Sequence, residues 1–348
     1  MDFAELTTLR LGGPARSVVE ATTEADLLDA VRVADEAGDP TLIVGGGSNL
    51  VVSDAGFDGT VILVRTRGVS VESEDCDDLA GLCGGVMVTV QAGEDWDGLV
   101  ARAVAEKWRG IEALAGIPGT VGATPIQNVG AYGQEVSQTI ARVRVYDRYD
   151  RVVRTMAAAD CGFGYRTSLF KREAPRYVVL TVAYQFAHGD HGRPIAYAQL
   201  AEALGTQIGG VVPSADVRAA VLELRRSKGM VLDADDHDTW SAGSFFTNPV
   251  LDVDAAARLP DEAPRYRQAD GTIKTSAAWL IEHAGYRRGF PAAEGQVALS
   301  TKHALALTNR GGATTGELLD LARELRDGVR AQFGITLEPE PTLVGCRL

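Results

Sequence analysis

The chain has 348 residues, of which 45% are hydrophobic and 23% are charged. At roughly 150 residues per domain, this length allows two or three domains and at least one cleft. Lys and Arg total 34 against 47 Asp and Glu, a net charge of -13 that disfavours nucleic acid as a partner. No apolar run approaches the ~18 residues of a membrane span, and the first residues lack a secretory pattern. We therefore expect a cytosolic protein without membrane insertion.

The cysteines and histidines predict neither a disulfide framework nor a metal site. Cys76, Cys83, Cys161 and Cys346 show no C-x-x-C spacing, so we expect them to be reduced. The best metal candidate, His-Gly-Asp-His at 188–191, lies in a glycine-containing loop and lacks helical spacing. The acidic residues at 235–238 predict a solvated loop.

Periodicity predicts a mixture of strands and helices. Strand-like runs lie at 17–21, 41–44, 61–64, 86–91, 142–147, 152–155, 177–186 and 304–308. Helices are expected at 22–38, 95–110, 214–229 (with Ser214 as its cap), 275–285 and 315–334. The acidic stretch 75–85 predicts an exposed hairpin or insertion, and domain boundaries are expected near 60 and near 210–230. Because helices and strands do not alternate strictly, the pattern predicts the α+β class.

Glycine is enriched, with 39 of 348 residues, and the excess lies in a few loops. Gly45-Gly46-Gly47-Ser48-Asn49 directly follows a predicted strand, where converging backbone N–H groups can bind a diphosphate or simply form a tight turn. Residues 50–52 predict another strand where a dinucleotide-binding fingerprint requires a helix, which disfavours a Rossmann dehydrogenase. The long glycine-rich stretch 116–133 has little helix or strand tendency and indicates a loop that wraps a ligand.

Three further segments combine reactive side chains with flexible backbone, and each has a functional and a structural interpretation. Arg166, in Gly-Tyr-Arg-Thr-Ser, suits carboxylate recognition but is also compatible with an ordinary surface residue. Ser244, between Gly243 and two phenylalanines, is either a sheltered hydroxyl or part of a packed strand end. The cations at 225–228 either bind phosphate or complement the dipole of a helix C-terminus.

Taken in chain order, these loops resemble one family, the UDP-N-acetylenolpyruvoylglucosamine reductases of peptidoglycan synthesis. The matching segments are 8–15, 44–50, 116–133, 164–166, 225 with 228, 243–249 and 337–340. They span nearly the whole chain in the family's order, which is far more specific than one glycine loop. Two residues after the last motif's glutamate the family commonly has Arg, where this chain has Thr342, so one basic contact is expected to be missing.

The resemblance implies an α+β protein with a two-part FAD-binding fold of the vanillyl-alcohol-oxidase type and a C-terminal α+β substrate domain. FAD-binding subdomain 1 is expected at 1–60, joined by the C-terminal segment 336–348. Subdomain 2 is expected at 61–213 and the substrate-binding domain at 214–335. The implied enzyme is a monomer that holds FAD noncovalently. It takes a hydride from NADPH and reduces UDP-N-acetylglucosamine-enolpyruvate to UDP-N-acetylmuramate.

The resemblance also implies roles for individual residues. Arg166 and Glu340 are expected to stabilise the substrate carboxylate, and Ser244 to protonate the adjacent carbon. The residues implied to bind FAD are Gly45, Gly46, Gly47, Ser48, Asn49, Pro118, Gly119, Thr120, Gly122, Ala123, Asn128, Gly130 and Arg225. The residues implied to bind the UDP-sugar are Tyr165, Tyr197, Lys228, Asn248 and Lys274, with Tyr197 in a mobile loop.

Two alternatives stay open at the sequence level. One is a flavin oxidase of the same fold. Many such oxidases tether FAD through a His near the diphosphate loop, and this chain has no His before His188. The other is a noncatalytic flavin- or nucleotide-binding protein, which the joint presence of Arg166, Ser244 and Glu340 disfavours.

Overall fold

The computed structural model describes residues 1–73, 85–291 and 295–348. The chain divides into two compact units. Unit 1 comprises residues 1–16, 47–58 and 227–348, and unit 2 comprises residues 17–46 and 59–226. This division has two parts, and the finer three-part division expected from the sequence stays a prediction.

Helices and strands are both present, so the predicted α+β class is confirmed. The α-helices are α1 Phe3–Leu6, α2 Glu24–Glu36, α3 Trp96–Ala105, α4 Leu169–Arg172, α5 Ala198–Ala203, α6 Ser214–Ser227, α7 Val253–Ala257, α8 Ala277–His283 and α9 Thr315–Phe333. The strands are β1 Ala15–Ala21, β2 Thr41–Val44, β3 Leu50–Val52, β4 Phe57–Val64, β5 Val69–Ser73, β6 Gly85–Gln91, β7 Trp108–Arg109, β8 Gly130–Ala131, β9 Gln134–Glu135, β10 Ile140–Asp147, β11 Val152–Ala157, β12 Tyr177–His188, β13 Val250–Leu251, β14 Tyr266–Arg267, β15 Ile273–Lys274, β16 Val297–Leu299, β17 Leu307–Asn309 and β18 Thr342–Val344.

Unit 2 is built on an antiparallel sheet in the order β11-β10-β12-β6-β5, with β7 pairing to β12. A second sheet has the order β1-β4-β2, and β2 and β4 run parallel. Alternating residues of β6 are buried, with Val86, Val88 and Val90 in the core, because successive strand side chains point to opposite faces. The aromatic rings of Trp96 and Tyr184 lie in the same core.

Unit 1 has its own core around helix α9. Thr314 caps this helix in a capping box with Glu317, and Gly334 ends it in a left-handed conformation. Its buried side chains recur at helical spacing and include Leu318, Leu325 and Val329. The short sheet β13-β15-β14 and the parallel pair of β18 with β3 belong to the same unit.

Several predicted element boundaries were wrong. The helix expected at 95–110 ends at Ala105, because Lys107 takes a positive φ of 59° and Trp108 then pairs with His188 of β12. The strand expected at 304–308 covers only Leu307–Asn309, since the chain before it turns and Ser300 N–H donates to the Ala306 carbonyl. Ser214 is the first helical residue of α6 rather than a residue before the helix.

The acidic segment at 235–238 is only in part the solvated loop that the sequence suggested, because Asp235 is exposed but Asp238 is buried. Asp238 is only 4% exposed and accepts hydrogen bonds from Thr301 N–H at 2.9 Å and Arg310 Nη1 at 2.8 Å. Burial acts to raise the pKa of Asp238, but hydrogen bonds from Thr301 and Ser300 and the Arg310 charge hold it below its usual value. The buried Asp238 carboxylate therefore joins this loop to Thr301 and Arg310 through hydrogen bonds.

Two sequence expectations fall partly outside the described residues. Residues 75–84 of the predicted hairpin lie outside the described ranges, together with Cys76 and Cys83. Cys161 and Cys346 are described, and neither forms a disulfide. None of the described helices is both long enough and apolar enough to cross a membrane.

Candidate active site

In unit 2 the first two glycines of the loop after β2 pack against the second glycine-rich loop. A Cβ added to Gly45 would lie 2.3 Å from Thr120 Oγ1, and one added to Gly46 would lie 2.6 Å from Gly119 Cα. Gly46 therefore permits the close approach of two backbones, whereas Gly45 makes room for the Thr120 side chain. Two of the predicted ligand loops are thus brought together.

The glycine-rich stretch 116–133 is more regular than the sequence suggested. Gly122 N–H donates to the Ala92 carbonyl at 2.8 Å, and Trp96 N–H donates to the Gly119 carbonyl at 3.1 Å. Val121–Ala123 forms a 3-10 turn, and β8 pairs with β9 in a small hairpin. Extensive backbone hydrogen bonding makes this stretch an ordered cradle.

An ion pair fixes this cradle to two helices of unit 2. Asp97 of α3 accepts hydrogen bonds from Gly116 N–H at 2.6 Å and from both terminal nitrogens of Arg218 of α6, at 2.6 and 2.9 Å. Partial burial acts to raise the pKa of Asp97, but the hydrogen bonds from Arg218 and Gly116 outweigh it and lower the pKa. Sequence analysis missed this pair because its partners are far apart in the chain.

Arg166 occupies a tight turn in unit 2. Gly164 and Thr167 exchange backbone hydrogen bonds of 3.0 and 3.3 Å across the turn, and Arg166 between them has a φ of 53°. A non-glycine residue in this left-handed region is strained, and such strain is common at functional sites. The guanidinium Nη2 donates a hydrogen bond to the Gly130 carbonyl at 2.7 Å. The guanidinium carbon Cζ lies 5.4 Å from the centroid of the Tyr165 ring.

Arg225, Tyr132 and Tyr197 form a second group in unit 2. The rings of Tyr132 and Tyr197 meet edge to face with their centroids 5.4 Å apart, and Tyr197 is 43% exposed. Burial raises the pKa of the Tyr132 hydroxyl, while the charge of Arg225 acts against it. Desolvation lowers the pKa of Arg225 from its ordinary value, against the opposing effects of Tyr132 and Asp97. Tyr132 was not among the predicted site residues.

In unit 1 the predicted catalytic residues Ser244 and Glu340 lie on neighbouring antiparallel segments. Glu340 N–H donates to the Phe245 carbonyl at 2.8 Å, and Thr247 N–H donates to the Glu338 carbonyl at 3.0 Å. Phe246 forms an isolated bridge with Pro339, and both phenylalanine rings are buried in the core of unit 1. The backbone pairing therefore brings together the two segments that carry the half-buried Ser244 and Glu340, while Phe245 and Phe246 anchor one of them in the core.

The residues of the glycine loop 45–49 that belong to unit 1 form backbone hydrogen bonds with two other segments of that unit. Asn49 accepts a hydrogen bond from Thr342 N–H at 3.0 Å, two residues after Glu340. Gly47 accepts one from Thr8 N–H at 3.2 Å. Thr342, where the family commonly has Arg, is the first residue of β18, and it pairs with Leu50 of β3. The expected loss of a basic contact at this position stays a prediction.

Two of the three predicted UDP-sugar residues in unit 1 are neighbours. Asn248 Oδ1 accepts a hydrogen bond at 3.0 Å from Ala277 N–H, in the first turn of α8. Lys274 of β15 pairs with Val250 of β13, two residues after Asn248. Lys228 directly follows the last residue of α6 and is half-buried.

The predicted site residues therefore form two groups, one in each unit. In unit 2 lie Gly45, Gly46, Pro118, Gly119, Thr120, Gly122, Ala123, Asn128, Gly130, Tyr165, Arg166, Tyr197 and Arg225. In unit 1 lie Gly47, Ser48, Asn49, Lys228, Ser244, Asn248, Lys274 and Glu340. The roles assigned to these residues stay predictions.

Comparison with known proteins decides the family. The family model for the UDP-N-acetylenolpyruvoylglucosamine reductase C-terminal domain matches residues 235–344, and an FAD binding domain matches residues 15–156. A UDP-N-acetylenolpyruvoylglucosamine reductase of Cutibacterium acnes is 56% identical over 99% of this chain and 90% of its own length. The chain belongs to the UDP-N-acetylenolpyruvoylglucosamine reductase family. The relative from Salinispora arenicola is 54% identical over 99% of this chain and 95% of its own length.

A solved structure supports the fold. The UDP-N-acetylenolpyruvylglucosamine reductase of Thermus caldophilus has a TM-score of 0.65 and 24% identity, and the match covers 99% of this chain and 97% of that one. Together with the FAD binding domain, this likeness confirms the predicted FAD-binding fold. The chain is an FAD-containing oxidoreductase.

The residues present fit the diphosphate of FAD. Gly45 and Gly46 leave no room for a side chain against Thr120 and Gly119, so the loop presents no side chain at these two positions. Backbone N–H groups in glycine loops suit a diphosphate. Arg225 supplies a cation in the same unit, within a chain that carries a net charge of -13.

Proposed function

We propose that this chain reduces the enolpyruvyl group of UDP-N-acetylglucosamine-enolpyruvate to form UDP-N-acetylmuramate, with NADPH as the hydride donor. Support comes from the relatives at 50–56% identity, which carry the name of this reductase and align over 99% of the chain. The chain also carries the seven matching segments in the family's order, although Thr342 stands where the family commonly has Arg. When bound, FAD accepts a hydride from NADPH and can pass it to the substrate alkene.

The protein's part in this reaction is to stabilise charge and deliver a proton. Addition of a hydride to the enolpyruvyl carbon places negative charge on the neighbouring carbon and its carboxylate. Preorganised groups aimed at developing charge are usually the largest catalytic term. We assign that role to Arg166, and to Glu340 as a protonated carboxyl group that donates a hydrogen bond, because an ionised carboxylate would repel the developing charge. The left-handed turn and the 2.7 Å bond to Gly130 restrict the Arg166 guanidinium before substrate arrives.

Ser244 is proposed to protonate the carbon next to the carboxylate. A serine hydroxyl is a weak acid, but the carbanion it would meet is a strong base, so a donor fixed at that carbon suffices. The single observation that carries this proposal is the backbone pairing of the Ser244 and Glu340 segments, with the 2.8 Å bond from Glu340 N–H to the Phe245 carbonyl. The two segments that carry the proposed proton donor and the proposed carboxylate-stabilising group are thereby neighbours in unit 1.

The remaining predicted residues are proposed to hold the sugar nucleotide. Lys228 and Lys274 supply positive charge for the diphosphate, and Asn248 lies two residues before Val250, which pairs with Lys274. In unit 2 the exposed Tyr197 ring, supported edge-on by Tyr132, is proposed to close over the substrate from a mobile loop. Tyr165 lies beside the Arg166 guanidinium.

The experiment that tests the proposal separates the two half-reactions in Ser244→Ala. Reduction of the flavin by NADPH needs no proton at a substrate carbon, whereas reoxidation by the enolpyruvyl nucleotide does. Stopped-flow absorbance should show near-normal reduction and a reoxidation rate lower by roughly 10²–10⁴-fold. Ser241→Ala is the matched control, because it also removes a hydroxyl from this segment. The Ser241 hydroxyl accepts a hydrogen bond from Gly243 N–H. Normal reoxidation in Ser244→Ala would refute the assignment.

The proposed enzyme acts as a monomer in the cytosol. The net charge of -13 favours a soluble, unassociated chain, since like charges repel. Sedimentation equilibrium of the FAD-loaded protein should give the mass of one chain, 36.8 kDa plus the flavin. A dimer mass at micromolar concentration would contradict this part of the proposal.

A further inference from the structure

We propose that Asn128 and Glu135 form a clamp that fixes the turn carrying Arg166, and that both act as positioning residues for the reaction. This inference rests on the proposed role of Arg166. The sequence resemblance implied that Asn128 binds FAD, and it gave Glu135 no role. In the structure, hydrogen bonds join the two side chains to each other and join Asn128 to Gly164 in the turn that carries Arg166.

The amide of Asn128 is fully used by its hydrogen bonds to the protein. Its Nδ2 donates to Glu135 Oε2 at 2.8 Å and to the Gly164 carbonyl at 3.1 Å, and its Oδ1 accepts from Ser137 N–H at 3.1 Å. A side-chain amide carries two N–H donors, and both are engaged here. Asn128 therefore has no side-chain N–H left to donate to FAD.

These bonds place Asn128 at the start of the Arg166 turn. Gly164, which receives one of the bonds, is the residue that pairs with Thr167 across the turn. The other end is held by the same segment of chain, because Ser168 Oγ donates to the Ile126 carbonyl at 2.6 Å. The strained backbone of Arg166 is thus held on both sides by residues 126–128.

Glu135 connects this clamp to the guanidinium itself. Glu135 pairs with Gly130 across the β8-β9 hairpin, and the Gly130 carbonyl accepts the 2.7 Å bond from Arg166 Nη2. One hairpin therefore contacts Arg166 through Gly130 and contacts the Arg166 turn through Glu135 and Asn128. Asn128 is only 1% exposed and has a φ of 48°, a conformation that Asn tolerates better than most residues.

The clamp matters because catalysis depends on the position of the guanidinium when charge develops. When a charged group stabilises the transition state, a displacement of that group by about 1 Å can lower the reaction rate by ~100-fold. Asn128→Asp keeps the size and the tolerance for a positive φ. It removes both donors and places a second carboxylate against Glu135. We expect the turn to loosen and Arg166 to be displaced.

The test measures the single-turnover reoxidation of reduced flavin by UDP-N-acetylglucosamine-enolpyruvate. Asn128→Asp should slow this step by ~10–100-fold and leave FAD content unchanged. Glu135→Ala should also slow it, whereas Glu135→Gln, which keeps an oxygen acceptor for Asn128, should restore most of the rate. Amide hydrogen exchange at Gly164 and Thr167 should become faster in Asn128→Asp, a readout independent of activity.

The matched control is Asp147→Asn. Asp147 is a fully buried polar side chain of the same unit, bound to Arg176 by hydrogen bonds of 3.0 and 2.8 Å. This variant should lower the melting temperature while reoxidation stays within about twofold of the parent. If Asn128→Asp acts merely by weakening the fold, both variants will behave alike, and the inference is overturned.

A double-mutant cycle separates this inference from the proposed function. In an Arg166→Ala background, Asn128→Asp should have almost no further effect, because the group it positions is absent. Equal losses in both backgrounds would overturn the clamp and leave the role of Arg166 intact. An undiminished rate in Arg166→Ala alone would overturn the role of Arg166 and the clamp with it.

Discussion

At the scale of single residues, Ser244 and Glu340 lie together because the segments that carry them run side by side. Phe245 and Phe246, the neighbours of Ser244, lie in the core, while Ser244 and Glu340 are half-buried. A Gly-Ser-Phe-Phe motif and a Leu-Glu-Pro-Glu motif identified these residues from sequence. Neither motif could show that they are adjacent, because that depends on strand pairing across almost a hundred residues.

Lys228 provides a prediction at this scale. Lys228→Ala should raise KM for the enolpyruvyl sugar nucleotide much more than it lowers kcat or FAD content, because a phosphate contact made equally in ground and transition states affects binding alone. Steady-state kinetics at saturating NADPH measure this effect. Arg226→Ala is the control, since Arg226 is an exposed cation at the same helix end that lies 3.8 Å from Glu223. An unchanged KM in Lys228→Ala would make Lys228 an ordinary surface charge.

At the scale of elements, the sequence predicted the existence of most helices and strands better than their ends. The residues 41–44 were predicted as a strand with the correct limits, and the helix predicted from 315 begins at Thr315. The early end of α3 could not be foreseen, since it depends on Trp108 pairing with a strand about eighty residues away. The ordered glycine-rich cradle was missed for the same reason: its hydrogen-bond partners are distant in sequence.

The Asp97–Arg218 pair gives a stability prediction with a defined pH dependence. Asp97→Asn should lower the free energy of unfolding at pH 7 by roughly 1–2 kcal/mol, a value reduced for the partial exposure of the carboxylate. The pKa of Asp97 lies below its ordinary value of 3.8 in the folded chain. The stabilisation is therefore complete well above that value and is lost as the pH falls through the lowered pKa.

Urea unfolding at pH 7 and at about pH 3 measures this dependence. The difference between parent and Asp97→Asn should shrink at the lower pH. Asp320→Asn is the control, because Asp320 is 79% exposed in its pair with Arg323 and should show little difference at either pH. A destabilisation that is independent of pH would show that Asp97 acts through packing rather than through its charge.

At the scale of the whole molecule, each unit has its own hydrophobic core and carries part of the predicted site. Chain length predicted more than one domain, but it could not show that residues 17–46 group with 59–226 while 47–58 group with the C-terminal part. The chain passes from unit 2 to unit 1 within the glycine loop 45–49, between Gly46 and Gly47. Such a division follows from three-dimensional contacts and leaves no local signal in composition.

FAD should stabilise the protein because a ligand that binds only the folded state shifts the unfolding equilibrium. Purified protein should be yellow, with about one FAD per chain that is released on denaturation. At a free FAD concentration of 100 times Kd, the gain is about 2.7 kcal/mol, measurable as a higher melting temperature. FMN, which lacks the diphosphate bridge to adenosine, should stabilise less at equal concentration. Equal effects of FMN and FAD would contradict the role of the glycine loops.

One measurement tests the central claim most directly. The FAD-loaded protein is reduced with one equivalent of NADPH under anaerobic conditions and mixed with UDP-N-acetylglucosamine-enolpyruvate. The account predicts that the flavin reoxidises without oxygen and that one UDP-N-acetylmuramate forms for each NADPH consumed. Flavin that stays reduced until oxygen is admitted, with hydrogen peroxide as the product, would indicate an oxidase and contradict the account.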